Sequence, residues 1–210
     1  MRLLKYADDM ALVAHMGSME APTQYQLAVD DLVTTFSEKS LELNISKTKE
    51  LCCVGRDRAA TTSQLFKPLS IQGEQVEQVE CFKYLGTLMD TRLSFQTHSD
   101  SIYSKALQRL HLLRKLKNFN VSKKILIMVY RSLIESILTF NITSWYNFLT
   151  SKQKTKLSQI TNQAGKIIGS PQTPLSHLYE RSVIRKATLI TEEPSHPLHH
   201  SFSLFPSGRR

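Results

Sequence analysis

Cysteine is scarce, three residues in 210, and its placement excludes a disulfide framework. The number is odd, Cys81 stands alone, and Cys52 and Cys53 are neighbours in the strand-like run ELCCV, where adjacent side chains point to opposite faces. Reduced thiols in an intracellular protein, cytoplasmic or nuclear, are the expectation. A secretory signal is also lacking, because MRLLKYADDM carries acids where an apolar stretch would be needed. Long apolar runs are few: the most apolar region, residues 125–149, is broken by Arg131, Glu135 and Asn141, which reads as too polar for a spanning helix, so no membrane partner is expected. Acid is short relative to base, 18 residues against 27, leaving a formal net charge of +9. That surplus points to a polyanion, either nucleic acid or an acidic membrane surface, between which charge alone does not choose. What is present in ordinary amount is core-forming material: 41% hydrophobic and 21% charged residues exclude wholesale disorder.

The periodicity divides the chain. Leu3 to Ala14 alternates loosely around an acid pair and predicts a β-hairpin with Asp8 and Asp9 at or beside its tip. Thr23 with Gln26 has the spacing of a capping box, and Leu27, Val29, Leu32, Val33 and Phe36 predict a helix to about Lys39. A polar loop, NISKTK, precedes a strand at Leu51–Val54, and residues 56–68 read as a surface loop. LSIQGEQVEQVECFKYLGTLM predicts two or three short strands turning at Gly73, with Phe82, Tyr84 and Leu88 on one side.

From Ser99 the period becomes helical. Ile102, Ala106, Leu110 and Leu113 share a face, a new helix starts after Ser122, and another spans about Lys152–Ile168 with Gly169 and Pro171 as its stop. A short helix at Leu175–Thr188 follows. The fold class is therefore α+β, with an α+β part over 1–95, a helical part over 96–190, and a disordered tail over 191–210 that reads as cut off. No internal repeat is evident.

Two chemistries compete for KYADD. Paired acids serve turns, and clustered carboxylates also hold the hard cations that phosphoryl transfer requires. The context adds information: YADDMALVAH, a helix, LELNISKTKELCCVG, a loop, then FKYLGTLMDTRLSF and LRKLKNFNVSKKILIMVYRSLIESILTFNITSWYNF. This succession resembles the reverse transcriptases of LINE-type, non-LTR retrotransposons, an RNA-directed DNA polymerase family, across essentially the whole chain.

The resemblance implies a partial polymerase palm (hairpin, helix, short strands) followed by a thumb-like helical region. It makes Asp8 a magnesium ligand and Asp9 its weaker neighbour, sets Tyr6 toward the nucleotide or primer end, and gives Lys47 the place beside the active site where a cation assists the departing pyrophosphate. Phe82, Lys83, Tyr84, Leu85 and Gly86 match the primer-grip hairpin. In the helical part Lys105, Arg109, Arg114 and Lys117, with Lys115, Lys123 and Lys124, would contact primer–template phosphates, although on a helical wheel they spread over several faces. Trp145 and Tyr146 read as core rather than base-stacking platforms. The family's other metal-binding aspartate lies upstream of KYADD and has no counterpart here, and Asp30 and Asp31 sit in the predicted helix. The expectation is a fragment with a vestigial site, no tightly held magnesium, no polymerase activity alone, and at most weak nucleic-acid binding.

A second resemblance covers residues 133–169, which are similar to the small N-terminal domain of AlkB-type tRNA-modifying dioxygenase and methyltransferase proteins. That module carries no chemistry of its own, so the alternative reading is a non-enzymatic helical interaction module. An iron site would need His-x-Asp on a barrel scaffold; His98-Ser99-Asp100 has the spacing but precedes a helix. His196, His199 and His200 lack the companions of a metal site and belong to the tail.

Overall fold

A computed structural model describes residues 1–54 and 68–202. The chain is mixed α+β and divides into two compact units, Met1–Leu93 and Ser94–Arg210. The loop expected at 56–68 falls almost wholly outside the described residues.

The first unit begins with strands β1 (Arg2–Tyr6) and β2 (Asp9–Val13), paired antiparallel from Arg2 opposite Val13 to Tyr6 opposite Asp9. The turn is the two-residue loop Ala7–Asp8, with Ala7 at φ +53°. Helix α1 (Ala21–Glu38) starts two residues before Thr23 and carries Pro22 in its first turn, where a missing N–H costs nothing. No side chain caps it, so the Thr23–Gln26 pair is not a capping box. Gln26 instead clamps the next strands: its amide donates to the Ser70 carbonyl at 2.7 Å and accepts from the Ser70 N–H at 3.1 Å. Leu27, expected inward, is 63% exposed; the inward face is Val29 with Tyr25 and Val33, packed on Leu69, Ile71 and Val76, with Leu12, Leu43 and Ile45 at the margin.

Six short strands complete this unit. β3 (Lys49–Glu50) pairs parallel with β6 (Glu77–Gln78), β4 (Ser70–Ile71) antiparallel with β5 (Glu74–Gln75), and β7 (Cys81–Tyr84) antiparallel with β8 (Thr87–Asp90). The strand thus lies at Lys49–Glu50 and not at Leu51–Val54, although Val54 still bonds Thr91. Both antiparallel pairs close through loops with φ positive at each position, Gln72–Gly73 and Leu85–Gly86, the geometry whose twist matches paired strands. The tight turn fixes the register: Phe82 faces Met89 and Tyr84 faces Thr87, while Leu88 pairs with Lys83 and lies on the opposite face. Leu88 therefore leaves the set expected with Phe82 and Tyr84.

The second unit is helical. Helix α2 (Gln96–Asn118) buries His98, Ser99, Ile102, Ala106, Leu110 and Leu113. The next run is α3 (Lys123–Val129), a π-helical segment (Tyr130–Glu135) and α4 (Ser136–Thr139), then a left-handed Asn141 at φ +49° and α5 (Ile142–Trp145). Lys123–Phe148 holds an 18-residue window, of mean hydropathy 1.5, that is apolar enough by length and composition to cross a membrane, which corrects the reading that its polar interruptions exclude this. Within the unit it buries Leu126, Tyr130, Ile134, Leu138, Ile142 and Trp145.

Helix α6 (Ser151–Ile168) packs on α2. It opens on a capping box, Thr150 with Gln153, and stops at Gly169, whose φ of +73° frees the chain to turn. Helix α7 (Leu175–Glu192) runs past the expected Thr188. Of the stretch read as a disordered tail, residues to 202 are described: a short turn at His199–Ser201 is held by the His199 ring against the Ile190 carbonyl at 3.0 Å. Residues 203–210 lie outside the described residues.

Candidate functional site

The hairpin places the acids by its loop length. With Tyr6 and Asp9 as the closing pair, Asp8 occupies the tip and Asp9 shares Tyr6's face of the sheet. All three are exposed, Tyr6 by 66%. Neither carboxylate takes a hydrogen bond or ion pair among the described residues. Magnesium in a two-ion site needs several carboxylates converging on adjacent oxygens. Among the described residues no group of three or more acids, histidines or cysteines gathers to hold a metal, so Asp8 and Asp9 make a partial ligand set that does not fit a two-ion cage.

Lys47 ends a short turn (Ile45–Lys47) that Asn44 caps, its backbone N–H donating to Asn44 Oδ1 at 3.0 Å. The side chain is exposed and bonds to neither acid. The FKYLG stretch is part strand and part turn: Phe82 and Tyr84 are half-buried on one face, Lys83 is exposed on the other, and Leu85 and Gly86 form the loop. A non-glycine residue at φ +43°, as Leu85 is, sits in a sparsely populated region.

The four basic residues read as phosphate contacts separate into two kinds. Arg109 is half-buried and donates from Nη1 to the Leu133 carbonyl in the π-helical segment. Arg114 reaches the other way, to Gln163 Oε1 on α6 at 3.0 Å. These guanidiniums tie α2 to its two neighbours. Lys105 and Lys117 are exposed and their side chains make no hydrogen bond or ion pair among the described residues, and the same holds for the side chains of Lys115, Lys123 and Lys124. The spread over several faces seen on the wheel is thus a division of labour.

His98-Ser99-Asp100 has a structural use. His98 lies edge-on to Trp145, ring centroids 5.3 Å apart, and Asp100 pairs with Lys156 at 2.7 Å. Burial, then Lys105, pushes the imidazole down to about 4. Trp145 is fully buried and donates to the Phe140 carbonyl at 2.9 Å, and Tyr146 is 5% exposed; both are core.

One group escaped the sequence reading. Glu50 is 8% exposed, and its Oε2 has no partner among the described residues. Burial lifts its carboxyl above the usual range, opposed by a hydrogen bond from the Leu69 backbone. Tyr25 is pushed up to about 12, by burial first and then by Glu50. Burial likewise raises the Cys52 and Cys53 thiols, leaving them poor nucleophiles. The available signal was strand alternation: Lys49 pairs outward with Glu77 at 2.6 Å, which sends Glu50 inward.

Residues 95–136 match a family described as alkylated DNA repair protein alkB homolog 8, N-terminal. The match covers α2, α3 and the whole π-helical segment, and it meets the stretch expected at 133–169 only over 133–136. The chain is also 31% identical over 117 residues to a probable RNA-directed DNA polymerase from transposon BS of Drosophila melanogaster. This chain is similar to a transposon polymerase. The transposon RNA-directed DNA polymerase resemblance is thus supported at the level of the relative's description. The match covers 55% of this chain but 12% of the relative, so the chain spans a small part of that protein's length. No solved structure matches.

Proposed function

We propose that these residues form a palm-and-thumb portion of a LINE-type reverse transcriptase, which binds nucleic acid weakly and does not copy it unaided. The observation that carries this reading is the hairpin that holds Asp8 at its tip and Asp9 beside Tyr6, in a chain similar over 117 residues to a transposon polymerase. Magnesium, where a full carboxylate cage holds it, neutralises charge on a transferring phosphoryl group. Here Asp8 and Asp9 supply part of such a cage, Tyr6 offers its exposed ring beside Asp9, and Lys47 offers a free ammonium. The β7–β8 hairpin supplies a rigid ledge for a primer strand.

Primer extension with magnesium should give no product. Extension that an Asp8→Ala change abolishes would sink the claim of inactivity. Duplex binding should weaken steeply with salt, and replacing both Lys105 and Lys117 with Gln should flatten the slope of log affinity against log salt by about 2, since each phosphate contact contributes about 0.9.

The match over 95–136 favours a second reading, a helical interaction module without chemistry of its own. Absence of any duplex shift, together with capture of a defined protein partner by the helical unit, would select it.

A further inference from the structure

The β1–β2 hairpin leaves one strand uncovered. All five residues of β1 are exposed, including Leu3 at 46%, Leu4 at 44% and Tyr6 at 66%. Among the described residues β1 pairs with β2 alone. A strand edge of this kind presents unpaired N–H and C=O groups, and proteins usually blunt it with a bulge, a proline or a covering element. Among the described residues Arg2–Tyr6 has none of these, and the charges of Arg2 and Lys5 are its edge protection.

The phase of the free groups follows from the turn. The pair closing a two-residue loop exchanges its backbone hydrogen bonds inward, so Tyr6, Leu4 and Arg2 point theirs at β2. Leu3 and Lys5 therefore aim their N–H and C=O groups at the open edge.

We infer that this edge pairs antiparallel with β1 of a second copy, centred on Leu4, to give a four-stranded sheet in the order β2, β1, β1, β2. Charge selects the register. Centring on Lys5 would set two ammoniums face to face, a destabilising pair. Centring on Leu3 would reach past the strand to Met1. Centring on Leu4 sets Leu3 against the second copy's Lys5, so that these two pairs exchange four hydrogen bonds. It also sets each Arg2 against the other copy's Tyr6, a guanidinium beside an aromatic ring, on the face that carries Asp9. No cation meets a cation, and Leu4 meets Leu4 at the symmetry axis in the close, non-hydrogen-bonded position.

A single strand edge is a small interface, so association is expected to be weak and to depend on chain concentration. Sedimentation of the full chain should move from the 24.0 kDa monomer to twice that mass as concentration rises. Over the same range the Leu3 and Lys5 amides should exchange about tenfold more slowly, while Leu4 and Tyr6, already bonded to β2, stay unchanged. Leu4→Lys and Leu4→Glu should each be monomeric, because like charges meet on the axis, and an equimolar mixture should recover the dimer. A monomer at every concentration overturns the inference. So does a dimer that survives Leu4→Lys alone, a mixture that stays monomeric, or a wild-type dimer in which neither amide slows.

Discussion

At the scale of single residues, a cation in a sequence does not declare what it serves. Arg109 and Arg114 carry the same charge and lie on the same helix as Lys105 and Lys117. Their planar forks nonetheless end on the Leu133 carbonyl and on Gln163, where a guanidinium bonds a polar group of a neighbouring helix. The Leu133 carbonyl lies in the π-helical segment, where the ladder shifts to i→i+5 bonding, as with the Ser136 N–H to Arg131. Arg109→Gln should therefore cost the helical unit about 1–3 kcal/mol, the range for a hydrogen bond from a charged donor together with the desolvated acceptor it leaves. Lys105→Gln should stay within about 0.5 kcal/mol. Urea unfolding of both variants checks this, and equal losses would return Arg109 to the solvent-facing set.

At the scale of elements, most of the architecture was legible because it rests on local patterns. The hairpin around Asp8, the α2 stripe from Ile102 to Leu113 and the stop at Gly169 follow from spacing alone. What misled was the use of a correct signal in the wrong place: Thr23 and Gln26 have capping-box spacing, but Pro22 had already started the helix, whereas Thr150 and Gln153 form the real box. The Leu88 face was unreadable for another reason. A two-residue turn at Leu85–Gly86 sets the register, and its effect shows only once the cross-strand partners are known. The run Leu126, Tyr130, Ile134 and Leu138 illustrates a third limit. Steps of four drift by about 40° each on an α-helix, so the stripe should leave its face. The wider π turn at Tyr130–Glu135 drifts back and keeps all four buried. Of the candidate site, the sequence located the acids but could not show whether other ligands converge on them, which depends on chain-distant contacts. The capping box gives this scale its test: Thr150→Ala should lower stability by about 1 kcal/mol, read from the urea midpoint, while Thr23→Ala should leave it nearly unchanged.

At the scale of the whole molecule, the two units carry buried ionisable groups of opposite kind, so they should answer pH in opposite directions. In the first unit Glu50 faces Tyr25 from α1 and Cys52 from the segment just after its own strand, and no cation among the described residues pairs with it. Its folded carboxyl is raised above its unfolded value of about 4.3 by burial, against the Leu69 hydrogen bond. The stability this contributes is complete below about 4.3 and is lost as pH rises through the raised value. In the second unit His98 is lowered to about 4 by burial and then by Lys105, whereas an unfolded histidine takes its proton near 6.5, roughly. Its contribution is complete above about 6.5 and is lost as pH falls toward the folded value, on the order of 3 kcal/mol in all. Amide exchange resolved along the chain should therefore show α2 and α6 loosening from pH 7 to 4, while α1 and β4 tighten. Glu50→Gln should remove the second trend and leave the first, and His98→Phe should do the reverse. Parallel loosening of both units in acid, unchanged by either substitution, would show that surface charge and not these two buried groups governs the response.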